Sequence, residues 1–328
     1  MRAFRNANPK SIHEAVSILE RTHSEGQSAS LVGGGSDLLG MAKEHLVSPD
    51  VLVNLKSIRG MDRIQPEHGG IKIGGLATLD AISRDARIRK DYTVLAEAAE
   101  NVGTPQIRNA GTLAGNVNQR PWCWYFRNGF PCLKNGGKIC FSASGENQFH
   151  AIFGGGPSYI VHPSDTAPAL VALDAEFHIA GPKGERLVAA SEFFQLPRVD
   201  ATRENVLAKD EILTAVRLPA PRPGVRSTYH KVLDREAWTH AVVSAAIVLE
   251  MDSGKTCRGA RVVLGGVAPI PWRLQKVEAM LVGQRVTPEL AAQAGAAAVE
   301  GAHPLAKNKY KVPLTKAMVK RTLISLTA

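Results

Sequence analysis

Two groups of residues in this sequence could take part in chemistry, a glycine-rich loop near the start and three cysteines near the middle. The loop, Gly33-Gly34-Gly35-Ser36-Asp37, follows a short apolar stretch and precedes a stretch with helical periodicity. Backbone N–H groups that no side chain covers can converge on phosphate oxygens, and a helix N-terminus adds a favourable dipole. The loop therefore suits the pyrophosphate of a dinucleotide.

The loop matches neither of two common nucleotide-binding fingerprints. It lacks the Gly-x-x-x-x-Gly-Lys spacing of a P-loop, and Leu38 stands where the Rossmann fingerprint has its third glycine. A tight turn is the alternative interpretation. A second stretch, residues 108–116, again combines glycines with amide and hydroxyl side chains, so its backbone could approach a flat ring or a phosphate closely. A glycine-rich turn between strands is the alternative there.

Three of the four cysteines, Cys123, Cys132 and Cys140, are close together, and Cys257 is far away. In a reducing compartment a chain of this length does not need disulfides, so clustered thiols favour a metal or an iron–sulfur cluster. Residues 121–141 also carry turn signals such as Asn128-Gly129 and almost no helical period. We interpret this segment as an inserted loop.

The elements that must position these residues follow from periodicity and capping signals. Ser11 and Glu14 form a capping-box pattern ahead of a helical face, and Thr78 is a second helix cap. The pattern predicts further helices at 38–45 and 92–102 and after His162-Pro163-Ser164-Asp165, strands at 30–32, 51–55, 71–73 and 159–161, and a hairpin at 176–188. Beyond residue 225 it predicts strands at 227–233, 241–251 and 257–265, then helices at about 271–282, 287–300 and 312–326.

Composition sets the broad class of the protein. The 328 residues are 44% apolar and 21% charged, the profile of an ordinary globular protein with room for two domains. The net charge of +10 is scattered and aromatic residues make up only 5%, so nucleic-acid binding is not expected. We find no apolar run long enough for a transmembrane helix and no signal-peptide core, and we expect a cytoplasmic protein. A composition change at 220–225 predicts domains at 1–220 and 221–328.

Four separated motifs occur in an order that resembles a known family. They are LVGGGSDLL, TPQIRNAGTLAGN, HPSDTAPALVALDA and YHKVLDR. Together they resemble the FAD-binding medium subunit of the xanthine dehydrogenase and carbon monoxide dehydrogenase family of molybdenum hydroxylases. The resemblance implies an α+β fold: a two-lobed FAD domain of the vanillyl-alcohol-oxidase type, with lobes at about 1–56 and 57–220. A smaller α+β domain with a three-stranded antiparallel sheet and helices then follows at 221–328.

The same resemblance assigns cofactor contacts. Residues 33–37 would hold the pyrophosphate, Asp165 would bond ribose or ribityl hydroxyls, and Lys231 would approach the isoalloxazine ring, where a cation favours the reduced flavin. Leu207 would pack on the ring. Ala114, where many relatives have glycine, and Trp238 depart from the pattern. The full set of implied FAD contacts is Val32, Gly33, Gly34, Gly35, Ser36, Asp37, Leu38, Val102, Gly111, Thr112, Gly115, Asn116, Asp165, Leu207 and Lys231.

The segment at about 121–149 resembles an insertion found in a subset of the family, including the β subunit of 4-hydroxybenzoyl-CoA reductase. Those members carry an additional 4Fe–4S cluster, so Cys123, Cys132 and Cys140 become candidate ligands. Phe149 stands where a fourth cysteine is expected, and the adjacent His150 is the substitute. A zinc site from the same four residues and free thiols in a decaying insertion are the alternatives.

In this family the flavin subunit is one of three, which implies a heterotrimer or a dimer of heterotrimers. A large subunit carries the molybdenum cofactor, a small subunit carries two 2Fe–2S clusters, and electrons leave through FAD to an external acceptor. The sequence shows no catalytic triad or paired carboxylates that would contradict this role. A self-sufficient FAD oxidase of the same fold is the alternative, and a scaffold protein that has lost its cofactor is a third hypothesis.

Overall fold

The computed structural model describes residues 1–235 and 239–327, so Trp238 lies outside the described residues. Within them the chain folds into three sheets and the helices that cover them. The elements run, in order, β1 Arg5–Ala7, α1 Ile12–Ser24, β2 Ala29–Val32, α2 Leu38–Lys43, β3 Val51–Asn54, β4 Ile64–Glu67, β5 Gly70–Gly74, α3 Leu79–Arg84, α4 Ala86–Asp91, α5 Thr93–Glu100, α6 Pro105–Ala110, α7 Leu113–Val117, α8 Trp124–Arg127, α9 Thr166–Ala172, β6 Glu176–Gly181, β7 Gly184–Ala189, α10 Ala190–Phe193, β8 Ile212–Leu218, β9 Val225–Val232, β10 Val243–Met251, β11 Cys257–Gly265, β12 Trp272–Arg273, α11 Gln275–Leu281, α12 Pro288–Ala297 and α13 Lys311–Thr327.

The first sheet is parallel, with strand order β1-β3-β2. Helix α1 buries Ala15, Val16 and Leu19 against it. Ser11 caps this helix as predicted, because its side chain accepts from the Glu14 N–H at 3.1 Å. The Glu14 carboxylate accepts from the backbone of Lys10 at 2.6 Å, so the reciprocal half of the capping box does not form.

The second sheet is antiparallel, with order β4-β5-β8-β6-β7. Its core is covered by α3, α5 and α9 and includes Ile73, Leu95 and Phe177, all fully buried. The predicted hairpin is present as β6 and β7, with a tight turn at Gly181 and Gly184. The second loop lies beside this sheet, because the Ala114 N–H bonds the Gly75 carbonyl just after β5, whereas the glycine loop follows β2 of the first sheet and precedes α2.

The third sheet lies in the C-terminal part and is antiparallel, with order β12-β11-β10-β9. Apolar side chains of its long strands pack against helices α11, α12 and α13, whose apolar faces include Leu281, Ala291 and Val319. Asp252 organises the β10–β11 turn, because its backbone N–H bonds the Thr256 carbonyl and Lys255 adopts a φ of 63°. The mixed fold expected from the resemblance is confirmed.

Three details differ from the sequence expectation. A fourth, two-residue strand joins the C-terminal sheet, because Trp272 pairs with Leu264, and this delays the start of the predicted helix at 271. The predicted strand at 159–161 is wrong. The Tyr159 carbonyl accepts from the Ala151 N–H, and three residues later the His162 N–H donates to the Ala268 carbonyl. These isolated bonds go to different partners, so no ladder forms.

The predicted domain boundary near residue 220 falls in the link between β8 and β9. One core cluster nevertheless contains residues from both sides of this link, among them Phe177 and Tyr229. Among the described residues, we find no helix with both the length and the apolar character that a membrane crossing requires.

Candidate functional site

The two glycine-containing loops meet backbone to backbone. A Cβ atom added to Gly34 would lie 1.9 Å from the Ala110 carbonyl oxygen, so only glycine fits at this position. Gly35 has a φ of 73°, a left-handed conformation that residues with side chains rarely adopt. Close packing and backbone conformation therefore both require the glycines that the sequence analysis assigned to a phosphate-binding loop.

The second loop is ordered by Thr112. Its hydroxyl accepts from the Gly115 N–H at 3.2 Å and caps the short helix α7. The same Thr112 oxygen would lie 3.0 Å from a Cβ on Gly33, so this side chain closes the gap between the loops. The structure thus brings together residues 33–37 and 111–116, which the sequence predicted to share one ligand.

Two cavities lie on either side of this junction, of about 170 Å³ and 470 Å³. Both are lined by Ser36, Asp37, Thr112, Gly115 and Gln119, so the shared wall consists of the two loops themselves. Ligand sites of this size with a few convergent polar groups are typical for cofactors. The glycine loops therefore border both cavities.

The predicted FAD contacts divide between the cavities. Val102, Gly111, Asn116 and Asp165 line the smaller one. The larger one is lined by Val32, Gly33, Gly34, Gly35, Leu38 and Leu207. Lys231 lines neither cavity but contacts Asp165 of the smaller one, whereas Leu207 lines the larger one. The two residues that the resemblance assigns to one ring therefore line no common cavity.

Asp165 is more deeply buried than Asp37, the other acidic residue that lines the smaller cavity. Its carboxylate accepts from the Tyr229 hydroxyl at 2.6 Å and from the Lys231 ammonium at 2.7 Å, and all three side chains are buried. Lys231 also donates to the Asn101 carbonyl at 2.9 Å. Burial, and secondarily the Asp165 charge, raise the pKa of Tyr229 well above its ordinary value, so the phenol stays protonated and donates.

Asn116 links the second loop to the motif that contains Asp165. Its side-chain oxygen accepts from Ser164 at 2.5 Å and from Thr166 at 2.7 Å. His162, two residues earlier, packs edge-on against Phe194, and burial lowers its pKa to about 3. This enclosed imidazole is neutral and packs against an aromatic ring.

Three residues of this region were not predicted, and only one of them has a local sequence signal. Tyr229 precedes Lys231 by two positions on strand β9, so strand alternation places both on one face. Trp122 and His240 line the smaller cavity, and their rings lie 5.2 Å apart. No local pattern pairs residues so distant in sequence.

The three clustered cysteines line one small enclosed space of about 10 Å³. All are free thiols, and the surrounding wall is mostly apolar, with Phe126 and Phe141 among its residues. His150 Nε2 lies 3.2 Å from Cys123 Sγ, so the proposed substitute for the fourth cysteine reaches the same cluster. Cys257 lies apart, buried at the start of β11, as expected for a small apolar side chain.

Burial favours the neutral forms of Cys123 and His150. It raises the pKa of Cys123 to about 11 and lowers that of His150 to about 4. A neutral imidazole retains a lone pair that can bind a metal, and Nδ1 of His150 is buried without a hydrogen-bond partner. In the ranges the structure describes, no three or more His, Cys, Asp or Glu side chains are grouped to hold a single metal ion.

Buried charges tie the insertion to the glycine loop. The Arg127 guanidinium lies 2.8 Å from Asp37 Oδ1, and the Arg120 N–H bonds Asp37 Oδ2 at 3.1 Å. Lys134, also in the insertion, lies 2.5 Å from the buried Glu204 carboxylate. Arg127 additionally packs over the Trp122 ring, with its guanidinium carbon 4.1 Å from the ring centroid. The cysteine-bearing segment is therefore anchored at the wall of the cofactor cavities.

Comparison with protein families gives two matches that together span nearly the whole chain. Residues 2–221 match the family described as the FAD binding domain in molybdopterin dehydrogenase. Residues 228–326 match the CO dehydrogenase flavoprotein C-terminal domain.

Individual relatives agree with these matches. The chain is 35% identical over 307 residues to the aldehyde oxidoreductase FAD-binding subunit PaoB of Escherichia coli K12, covering 92% of this chain and 91% of that protein. It is 29% identical to the carbon monoxide dehydrogenase medium chain of Hydrogenophaga pseudoflava, covering 96% and 94%. A solved carbon monoxide dehydrogenase from the same organism superimposes with a TM-score of 0.78 at 27% identity, covering 99% of this chain and 97% of that chain.

Proposed function

The chain belongs to the family of FAD-binding medium subunits of molybdenum-dependent dehydrogenases, and on this premise we propose that it passes electrons from the molybdenum and 2Fe–2S centres of partner subunits through FAD to an external acceptor. The observation that carries the proposal is the meeting of the two glycine loops over paired cavities, where Gly34 touches the Ala110 carbonyl.

The residues present fit FAD. The cavity wall offers backbone N–H groups at 33–37 without a Cβ that would block a phosphate, so we assign these residues, with Thr112 and Gly115, to the diphosphate. Asp37 would repel the diphosphate if it were unpaired, and the nearby Arg127 offsets its charge. Asp165 and Lys231 would hold the sugar hydroxyls and the ring. Bound FAD supplies the step between two-electron and one-electron transfer.

The remaining FAD assignments, including Val32, Leu38, Val102 and Leu207, belong to the same proposal. We also propose domains at 1–220, with lobes at 1–56 and 57–220, and at 221–328. Family matches that end at residue 221 and begin at residue 228 support this division. A cytoplasmic location stays a prediction from the sequence.

We propose that the partners are a large molybdenum-cofactor subunit and a small 2Fe–2S subunit, in a heterotrimer or a dimer of heterotrimers. The relatives' names support this, because they designate a FAD-binding subunit and medium chains.

The absorption spectrum of the purified chain, alone and with its partner subunits, tests the proposed role. We expect flavin bands that dithionite bleaches and that oxidisable substrates bleach only when the molybdenum subunit is present. Bleaching by a small substrate without partners would instead identify a self-sufficient oxidase. A colourless protein that takes up no FAD would overturn both assignments.

We further propose that the insertion at about 121–149 holds a 4Fe–4S cluster ligated by Cys123, Cys132, Cys140 and His150. Three free thiols around one apolar space, with a neutral imidazole 3.2 Å from the first, provide the donor set. Each ligand of such a cluster binds a different iron, so the donors surround the space and do not meet at one point as they would around zinc. The contact of 3.2 Å between His150 and Cys123 must therefore widen when the cluster binds. The cluster, when bound, supplies one-electron transfer.

Metal analysis tests the cluster. Iron and acid-labile sulfide should each be present at about four per chain, with broad absorbance in addition to the flavin bands. The Cys132→Ser variant should lose both while retaining FAD. Stoichiometric zinc without sulfide would reject the cluster in favour of a zinc site, and the absence of any metal would leave free thiols.

A further inference from the structure

The stretch that follows the cysteines bonds to several parts of the chain, and one C-terminal segment, residues 303–311, makes many of these bonds. This segment comes just before helix α13 and ends at the first residue of that helix, Lys311. Backbone carbonyls or side chains of residues 146–152 bond to it. The contacts are Lys307 N–H to Asn147 Oδ1 at 2.9 Å, the Lys307 ammonium to Glu146, Tyr310 hydroxyl to the Gln148 carbonyl at 2.9 Å, and His303 N–H to the Ile152 carbonyl at 2.7 Å, together with those of Asn308 and Lys311.

Asn308 bonds the peptide groups immediately around the proposed fourth ligand. Its amide nitrogen donates to the His150 carbonyl at 3.0 Å and to the Ala151 carbonyl at 3.3 Å. Its oxygen accepts from the Leu305 N–H at 2.6 Å, so the orientation of the amide is fixed. The side chain is fully buried, and a buried hydrogen bond of this kind is costly to remove.

Lys311 approaches the same turn from the other side. Its ammonium donates to the Phe149 carbonyl at 2.8 Å and to the Gly266 carbonyl at 2.7 Å. In the part of the chain that the structure describes, no carboxylate lies within ion-pair distance of this fully buried lysine. A buried cation among neutral carbonyls is unfavourable unless an anion lies nearby.

We infer that Asn308 and Lys311 are positioning residues for the proposed 4Fe–4S cluster: they fix the carbonyls on both sides of His150, aim its imidazole at Cys123, and place positive charge beside the cluster. This inference rests on the proposed cluster. A cluster with thiolate ligands is anionic, so it would supply the negative charge that Lys311 lacks, and the reduction potential of such clusters responds to nearby charge.

Two substitutions test separately the orientation of His150 and the positive charge of Lys311. Asn308→Asp keeps the volume and the acceptor for Leu305 but replaces the N–H donors with an oxygen that repels the His150 carbonyl. Lys311→Met keeps the length of the side chain and removes its charge. Tyr310→Phe and Lys307→Met, which alter contacts of the same segment away from His150, are the matched controls.

The measurements are iron, acid-labile sulfide and FAD per chain, the thermal midpoint, and the midpoint potential of the cluster in the purified full chain. We expect Asn308→Asp to lose most of its iron and sulfide while keeping FAD. Lys311→Met should shift the cluster potential to more negative values, because a nearby cation stabilises the reduced form. Both controls should match the wild type in metal content and potential.

Each other outcome overturns a specific statement. Wild-type protein without iron and sulfide rejects the cluster itself and is recognised before any variant is made. A wild-type cluster whose content and potential are unchanged in Asn308→Asp and Lys311→Met rejects the positioning role. Loss of FAD and iron together with a lower thermal midpoint in all four variants would show that the segment is only a structural anchor.

Discussion

At the residue scale, Asp165 shows how one buried charge organises the smaller cavity. Its carboxylate is held between the Tyr229 hydroxyl and the Lys231 ammonium. Because the Lys231 and Asp165 side chains are almost completely buried, each depends on the other for compensation. Breaking such a buried pair from one side costs far more than losing an exposed one. The pair therefore fixes the position of Lys231 behind Asp165 of the smaller cavity.

Gly34→Ala tests the contact between the two loops. The added Cβ would overlap the Ala110 carbonyl, so one loop must move, at a cost of about 1–3 kcal/mol typical of overpacking. We expect a lower FAD content and a lower free energy of unfolding, measured by absorbance ratio and urea denaturation. Gly40→Ala in helix α2, where no atom lies within 4 Å of the added Cβ, is the control and should keep FAD. Equal behaviour of the two variants would contradict the proposed loop contact.

His162→Gln tests the pH dependence of stability. The pKa of His162 is lowered from 6.5 to about 3 by burial, so the folded protein binds fewer protons than the unfolded chain in this window. Stability is therefore full above the unfolded value and is lost as pH falls. Between pH 7 and about pH 5 one such histidine contributes a loss of about 2 kcal/mol.

Urea unfolding of the FAD-loaded protein at both pH values measures this loss. The His162→Gln variant should lose less stability on acidification than the wild type. His13→Gln changes an exposed histidine and should leave the pH dependence as it is in the wild type. A variant with the same pH-dependent loss as the wild type would show that His162 does not carry it.

At the element scale, the inserted segment is joined to the glycine loop by charge and apolar packing and not by a strand ladder. Arg127 lies on the short helix α8 and reaches Asp37, the N-cap residue of α2. Lys134 pairs with Glu204 from the stretch between β7 and β8. An apolar cluster that joins Phe126 and Cys132 to Met41 of α2 adds to these pairs, so charge and apolar packing together hold the insertion beside the glycine loop.

Arg127→Gln tests this connection. The change removes the positive charge beside Asp37, leaving a carboxylate next to the proposed diphosphate site, and it weakens the packing over Trp122. We expect FAD affinity to fall by roughly tenfold, which corresponds to about 1.4 kcal/mol. Flavin fluorescence titration measures the affinity, with Arg198→Gln, an exposed arginine, as the control. Unchanged affinity would mean that Asp37 does not approach the diphosphate.

At the scale of the whole molecule, residues next to each of the three sheets line the two cavities. The loop after β2, the helices at the margin of the second sheet, and His240 next to the third sheet all line the smaller or the larger cavity. A ligand that binds the folded state alone stabilises it by mass action. FAD should therefore stabilise the entire chain and not one lobe.

Thermal unfolding with added ligand measures the size of this stabilisation. FAD at a hundredfold excess over its dissociation constant should add about 2.7 kcal/mol to the free energy of unfolding. Riboflavin, which lacks the diphosphate and adenosine, should give a much smaller shift at the same concentration. Equal shifts with both ligands would contradict the assignment of the glycine loops to the diphosphate.

Much of the fold and the candidate site follows from local sequence. The caps at Ser11 and Thr78 join atoms only three residues apart, the β6–β7 hairpin closes within one turn, and glycines mark both loops. Short-range hydrogen bonds and periodicity are written directly in neighbouring residues. The family resemblance added the cofactor and the order of the motifs.

Tertiary structure alone decided the rest. Asp165 finds Tyr229 and Lys231 at separations of 64 and 66 residues, and His150 is held by Asn308 at a separation of 158. The strand expected at 159–161 does not form because its backbone bonds go to two unrelated segments, one at Ala151 and one at Ala268. The sequence by itself predicted which residues could bind a dinucleotide and showed which thiols are close together along the chain. Which buried groups pair, and which charge lies beside which ligand, depends on long-range packing that no local pattern records.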